Sequence, residues 1–399
     1  MREQWFGELE QLEKDIVDWR RHMHQFPELS FQEVKTSQFI ADTLQSFGYE
    51  VRTNVGEGGV LADLKGALPG PTIAFRADFD ALPIHEENQV PYRSQNDGVM
   101  HACGHDGHTA SLLGVAKVLS QHKEQLQGSV RFIFQHAEEK IPGGAKAMIE
   151  DGALEGVDEV YGAHLASYLP YGKIAVVSGP AMAAADGFSI IIQGKGGHGA
   201  RPDQTIDSIV VGSQVVGALQ HIVSRHIDPL KSAVVTVGVF QAGSAFNIIA
   251  DTAKIEGTVR TFDPEVRVKI EDDIKTIVQG ITSASRATFT LDYTHGYPAV
   301  VNPPEQAEYV CSLVRDSLGE EALLEIPPAM GAEDFAYYLE ERPGNFFYVG
   351  SQKNEDTAFP HHHPRFDIDE RALLNTGRVF LSIVADKLLT SSPETASVS

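Results

Sequence analysis

The ten residues "HACGHDGHTA", His101 to Ala110, hold three histidines, an aspartate and a cysteine in a chain that owns only two cysteines. Within them, Cys103 and His105 form a Cys-x-His step on a glycine-containing loop, which leaves the backbone free to turn both side chains toward one point. Thiolate and imidazole together suit zinc or a similar transition metal. The competing readings are a redox centre and a buried cysteine beside polar loop residues. A redox centre is disfavoured because the second cysteine, Cys311, falls in an unrelated helical segment. His101, Asp106 and His108 read as loop, supporting or helix-start residues.

Other unusual polar residues share a position. Asp78 follows the apolar run "TIAF", Glu138 and Glu139 follow "SVRFIF", and His164 follows "EVYGA". Each is expected just beyond the carboxyl end of a strand, the edge at which open α/β sheets bind ligands. The adjacent pair in "QHAEE" would ordinarily be a solvated surface pair. At a strand end, neighbouring side chains point in different directions, so one carboxylate can ligate a metal while the other faces water as a general base. "HHHPRFDID", from His361, follows the strand "NFFYVG" and lets one imidazole reach the same edge. If Cys103, His105, Glu139, His164 and one of these histidines all ligate, a bridging thiolate gives each of two ions three protein ligands. Open positions then remain for water and substrate, as a catalytic site needs.

"GKGGHG", residues 194 to 199, fits a dinucleotide-binding glycine pattern, but "ARPDQT" intervenes before any helix and no acidic residue marks the next strand end. Those glycines are read as a sharp bend that projects His198. No G-x-S-x-G elbow and no H-E-x-x-H helix is present.

The elements that must position these groups are legible as periodicity. The first part alternates strands ("VLADLKG", "TIAFRAD", "SVRFIFQ", "EVYGAH") with helices ("TASLLGVAKVLSQH", "GAKAMIEDG"), an α/β pattern implying a mostly parallel sheet with helices on its faces. From about Gly187 to Tyr297 the order becomes strand, helix, strand, strand, helix, strand, the split ferredoxin-like βαββαβ pattern. The strand "NFFYVGS" and the helix "RALLNTGRVFLSIVADKLL" then resume the first style. The expected organisation is a catalytic domain in two segments, 1–185 and 298–390, interrupted by an inserted domain at 186–297, with a disordered tail at 391–399.

Composition narrows the function class. At 399 residues the chain can bury two cores, and a formal net charge of −23 opposes contact with nucleic acid or an anionic membrane. Two distant cysteines build no disulfide framework, and no stretch reaches the about 18 apolar residues of a membrane span. With no apolar signal segment at its start, the chain is expected to be cytoplasmic.

Seven ordered motifs, "RRHMHQFPELSFQE", "FRADFDALPI", "MHACGHDGHTA", "QHAEE", "GGHGARP", "MGAEDFAYYLE" and "HHHPRFDIDE", resemble the M20 metallopeptidase family, in its aminoacylase, hippurate hydrolase and auxin-conjugate hydrolase branch. The resemblance implies a lid or dimerisation role for the inserted domain, and a homodimer. It implies two divalent ions per subunit (zinc, manganese, cobalt or nickel) bound by Cys103, His105, Glu139, His164 and His362. His362 is taken from the three because the family's ligand stands two residues before the proline. Glu138 becomes the general base and acid, Asp78 an orienting group, His198 a stabiliser of the oxyanion, and Asn247 and Arg260 holders of the substrate's carboxylate.

The sequence departs from the family at His136, where proline is usual, in "GAHLASYLP", and in "ARPDQTIDS". These departures bear on substrate choice more than on metal binding, and His136 reads as an added polar contact in the pocket. The implied activity is hydrolysis of the amide of N-acyl or N-aroyl amino acids. A dipeptidase or carboxypeptidase is the alternative within the class. A non-catalytic binding protein is the alternative outside it, and the presence of Glu138 with a full ligand set argues against that.

Overall fold

The computed structural model describes residues 1–354 and 358–389. The tail expected at 391–399 lies outside the described residues. The chain forms two compact units, Met1–Gly179 with Val301–Pro327 and the chain from Asp334 onward, and Pro180–Val300 with Pro328–Glu333.

The first unit is built on a seven-stranded sheet in the order Val51–Val55, Gly59–Lys65, Gln127–Gln135, Leu68–Asp78, Glu159–Pro170, Gly344–Gln352, Ile174–Ala175. The middle four are mutually parallel, and antiparallel strands close both flanks. The strand "GNFFYVGSQ" is buried at every position but the last. Such unbroken apolar runs are what a parallel sheet covered on both faces requires. Helices Arg2–Gln11, Glu13–Gln25, Val34–Ser46, His105–Leu119, Pro304–Leu318 and Ala372–Leu388 belong to this unit. Its core runs through Trp5, Leu112, Phe75, Phe132, Phe347 and Phe380. The helix His105–Leu119 is buried along its whole length except Lys117, so it carries no polar face. Its N-terminus is thereby fixed deep in the unit, and the N-terminus carries His105.

The second unit is a four-stranded antiparallel sheet in the order Ala233–Ala242, Thr252–Thr261, Ala184–Gln193, Thr288–His295, with helices Ser208–His221 and Pro264–Ala284. That is the ferredoxin-like βαββαβ arrangement. In the longer helix Val266, Ile270, Ile274 and Val278 recur every fourth residue and are all buried. They pack on Phe188, Ile190 and Ile192 from the alternating face of the central strand. Asp263 and Asp207 cap the two helices through their first free backbone N–H groups; such caps contribute about 1 kcal/mol each. Among the described residues no helix is long and apolar enough to cross a membrane.

One strand end differs from expectation. His164 does not stand beyond its strand: Glu159–Pro170 continues past it, with Tyr348 opposite His164 and Val349 opposite Leu165. On the other side, pairing with Leu68–Asp78 stops at Arg76 and Gly162. The strand therefore outruns one neighbour while still paired to the other, and its free edge at Leu165 is available to side chains.

Candidate metal centre and active site

The loop before the helix places the first two donors. Gly104 turns at φ 98° between Cys103 and His105, a conformation a residue with a Cβ rarely adopts. Cys103 and His105 are both buried, and Cys103 Sγ lies 3.5 Å from His164 Nε2. His105 Nε2 stands 3.9 Å from Glu138 Oε2, 3.9 Å from Glu139 Oε1 and 3.8 Å from Asp78 Oδ2. His362, at φ 65° and exposed, brings its Nε2 to 3.2 Å from Glu139 Oε1.

Donor atoms of Cys103, His105 and Glu139 lie within 4.8 Å of one another, as do those of Cys103, His164 and His361. Two donors about 2 Å from one ion stand roughly 3 to 4 Å apart, as Cys103 Sγ and His164 Nε2 do at 3.5 Å and His105 Nε2 and Glu139 Oε1 do at 3.9 Å. Cys103 is common to both sets. In the second set the histidine is His361, whereas His362 faces Glu139; the "HHH" run thus sends two adjacent rings to different sides of the cluster. His361 stacks on His164 with ring centroids 4.9 Å apart.

The free edge at Leu165 anchors three imidazoles, His164 among them through its Nδ1, 3.0 Å from the Leu165 carbonyl. The Leu165 N–H donates to His108 Nε2 at 2.9 Å, and its carbonyl accepts from His361 Nε2 at 3.0 Å. With Nε2 accepting, His108 must carry its proton on Nδ1 and donate it to Asp78 Oδ1 at 2.6 Å. Asp78, the last residue of its strand, is also held by Arg76 Nη1 at 2.5 Å, and Arg76 reaches Asp334 at 2.7 Å and Gln135 at 2.9 Å. Burial alone would raise the pKa of Asp78, but Arg76, His105 and His108 hold it well below the usual carboxylate range. The ring of His105 is oriented from elsewhere. Asp80 Oδ1 lies 3.0 Å from His105 Nδ1, while Asp80 Oδ2 accepts from the Glu139 N–H at 2.9 Å and from Ser30 Oγ at 2.7 Å. Reading the sequence placed orientation at Asp78 and overlooked Asp80.

Charge at the cluster is lopsided. Asp78, Asp80, Glu138 and Glu139 converge where Arg76 is the guanidinium. Burial opposes charging of His105, yet Asp78, Asp80 and Glu139 push its pKa up to about 10. Burial and then Glu139, Glu138 and Asp78 drive the Cys103 thiol well above its ordinary value. Among the described residues, buried His105 Nε2 and Glu139 Oε1 have no hydrogen-bond partner, and His362 stands near that oxygen without hydrogen-bond alignment. Two buried, unpartnered ligand atoms amid an excess of negative charge fit divalent cations.

The remaining candidates lie in the second unit. Gly197–His198 forms a short ladder with Ile248–Ile249, and the Gly199 N–H donates to the Asn247 carbonyl at 2.8 Å. His198 and Asn247 thus flank one exposed hairpin-like contact. Arg260 is half-buried on the strand Thr252–Thr261 and donates to Thr258 Oγ1 and, at 3.0 Å, to the Val259 carbonyl. His136 is buried in the first unit against the edge of Phe31, with ring centroids 5.8 Å apart and, among the described residues, no partner for its Nδ1.

A mostly parallel sheet carrying such a cluster has the donors of a protein that binds divalent metal at its sheet edge. The description of peptidase family M20/M25/M40 matches residues 74–386, and the chain belongs to that family. It is 52% identical over 297 residues to an N-acyl-L-amino acid amidohydrolase of Geobacillus stearothermophilus, covering 74% of this chain and 80% of the relative. It is 44% identical over 388 residues to an N-acetyl-L-cysteine deacetylase of Bacillus subtilis (strain 168), covering 97% and 91%. Among solved structures it is similar to the Bacillus subtilis YXEP protein, described as a dinuclear metal binding peptidase from the M20 family. That similarity has TM-score 0.81 and 37% identity over 94% of this chain and 98% of that one.

Proposed function

We propose that the protein is a metal-dependent amidohydrolase that cleaves N-acyl or N-aroyl amino acids to a carboxylic acid and a free amino acid. The observation that carries this reading is the pair of donor sets sharing Cys103, with Glu138 beside them. Family membership and the amidohydrolase and deacetylase relatives support it.

Cys103, His105, Glu139 and His164 would hold two divalent ions. Either His361 or His362 would complete the set: the resemblance favours His362 and the triad geometry favours His361. Bound there, the ions would supply Lewis acidity, polarising an amide carbonyl and acidifying water. The ions would be zinc, manganese, cobalt or nickel: thiolate and imidazole suit zinc and nickel, and the Glu139 carboxylate suits manganese.

Glu138 takes the proton from the attacking water and returns it to the departing amine. Asp80 holds the His105 ring and the Glu139 backbone in place, and Asp78 keeps His108 in one tautomer. His198 would donate to the developing oxyanion, and Asn247 with Arg260 would bind the substrate carboxylate. The second unit would serve as lid and dimerisation domain of a cytoplasmic homodimer, and the strongly acidic chain takes no nucleic acid or membrane partner.

A panel of N-acetyl amino acids, N-benzoyl amino acids and dipeptides tests the reading with metal-loaded protein. Hydrolysis of the acylated substrates with kcat/KM at least tenfold above the dipeptides is expected. Preference for a free α-amino group would move the protein to the dipeptidase class.

A further inference from the structure

The segment "PELSFQE", Pro27 to Glu33, has entered the site so far only through Ser30, which donates to Asp80, and Phe31, which packs on His136. Glu33 is nevertheless a buried carboxyl, 6% exposed, and its Oε1 accepts from the Ala137 N–H at 2.7 Å. Ala137 sits at φ 53°, a left-handed conformation that alanine seldom adopts. It immediately precedes Glu138 and Glu139. The other end of the same peptide unit is also held. A Cβ on Gly144 would stand 2.1 Å from the His136 carbonyl oxygen, which accepts from Gln135 Nε2 at 3.3 Å. Two residues on, the Glu139 N–H is tied to Asp80, the carboxylate that Ser30 also grips. Ser30 and Glu33 thus secure both ends of the turn from one short segment about a hundred residues away in sequence.

We infer that Glu33 is a positioning residue whose carboxyl group holds the His136–Ala137 peptide in the left-handed turn that aims Glu138 and Glu139 into the metal cluster. Among the described residues Glu33 belongs to neither donor set. Without it the Ala137 N–H is buried unpaired and alanine relaxes toward negative φ, swinging both carboxylates away from the cluster. The inference rests on Glu138 as the proton carrier.

The test uses full-length, metal-saturated protein and one N-acetyl amino acid. Glu33→Leu removes the acceptor, and kcat should fall about 30- to 100-fold, the cost of a misplacement near 1 Å, with KM within about threefold. Glu33→Gln keeps an acceptor oxygen and should stay within about fivefold of wild type. Adding Ala137→Gly to Glu33→Leu should recover at least about fivefold, because glycine populates positive φ without the carboxyl's help. A merely structural defect would not be rescued this way. A wild-type kcat in Glu33→Leu overturns the inference, as does a loss that Ala137→Gly leaves unmoved. If the leucine variant does not fold, Glu33→Ser, too short to reach Ala137, carries the same expected loss and the same overturning result. Glu138→Gln is measured in parallel. An active Glu138→Gln variant overturns the proton-carrier reading and this inference with it, whereas an inactive one beside a fully active Glu33→Leu overturns this inference alone.

Discussion

Asp80 shows what one carboxylate can decide. It orients His105 through Nδ1, fixes the Glu139 N–H and is itself held by Ser30. Removing such a supporting partner typically weakens metal binding 10- to 100-fold, so Asp80→Ala should raise the metal Kd by about that factor in a chelator competition. An unchanged Kd would show that His105 needs no such support. That Cys103, His105, Glu139 and His164 come together was legible in the sequence because cysteine, histidine and paired glutamates are rare beside apolar strands. Asp80 was not. Asp78 and Asp80 stand two apart in "RADFDALP", and which of them meets His105 depends on Arg76 being drawn to Asp334 and on His108 claiming Asp78, residues far away in sequence. The division of labour between His361 and His362 was hidden for the same reason: it is set by the Leu165 carbonyl, which holds the His361 ring.

At the scale of elements, the site depends on how the helix His105–Leu119 is docked. Buried Arg20, on helix Glu13–Gln25, pairs with Asp106 at 2.8 Å in the first turn of that helix and with Glu370 at 3.1 Å before helix Ala372–Leu388. Three helices therefore meet at one guanidinium. Breaking a buried pair by removing one partner costs about 3–5 kcal/mol, so Arg20→Met should lower unfolding stability by that amount in a denaturant titration near pH 7. A change below about 1 kcal/mol would contradict this account of the docking. The pH dependence follows from Asp106. Burial would raise its pKa, but Arg20 and His24 hold it far below the usual range. A depressed carboxylate contributes stability above its unfolded pKa of about 4 and loses it as pH falls toward the folded value. The gap between wild type and Arg20→Met should therefore be full at neutral pH and narrow below about pH 4. Periodicity made the helices His105–Leu119 and Ala372–Leu388 legible, whereas the helix Glu13–Gln25, rich in charge, was not read. The extension of Glu159–Pro170 past His164 was not, because a strand's end is set by its partners' lengths rather than by its own residues.

For the whole molecule, the change from alternating α/β to βαββαβ order was readable because the two patterns differ in sequence order alone. What joins copies of the chain is not written in such a pattern. If the second unit serves as the dimerisation domain, sedimentation should give twice the chain mass at micromolar concentration. A species at the single-chain mass would remove that part of the proposal. The central claim is that Glu138 carries the proton in a cluster that binds metal without it. It is tested most directly by kcat on an N-acyl amino acid for wild type and Glu138→Gln proteins of equal metal content. General acid–base catalysis contributes about 10²–10⁴-fold, and a loss of at least about 10²-fold with both proteins holding two ions is predicted. Equal turnover at equal metal content would contradict the account.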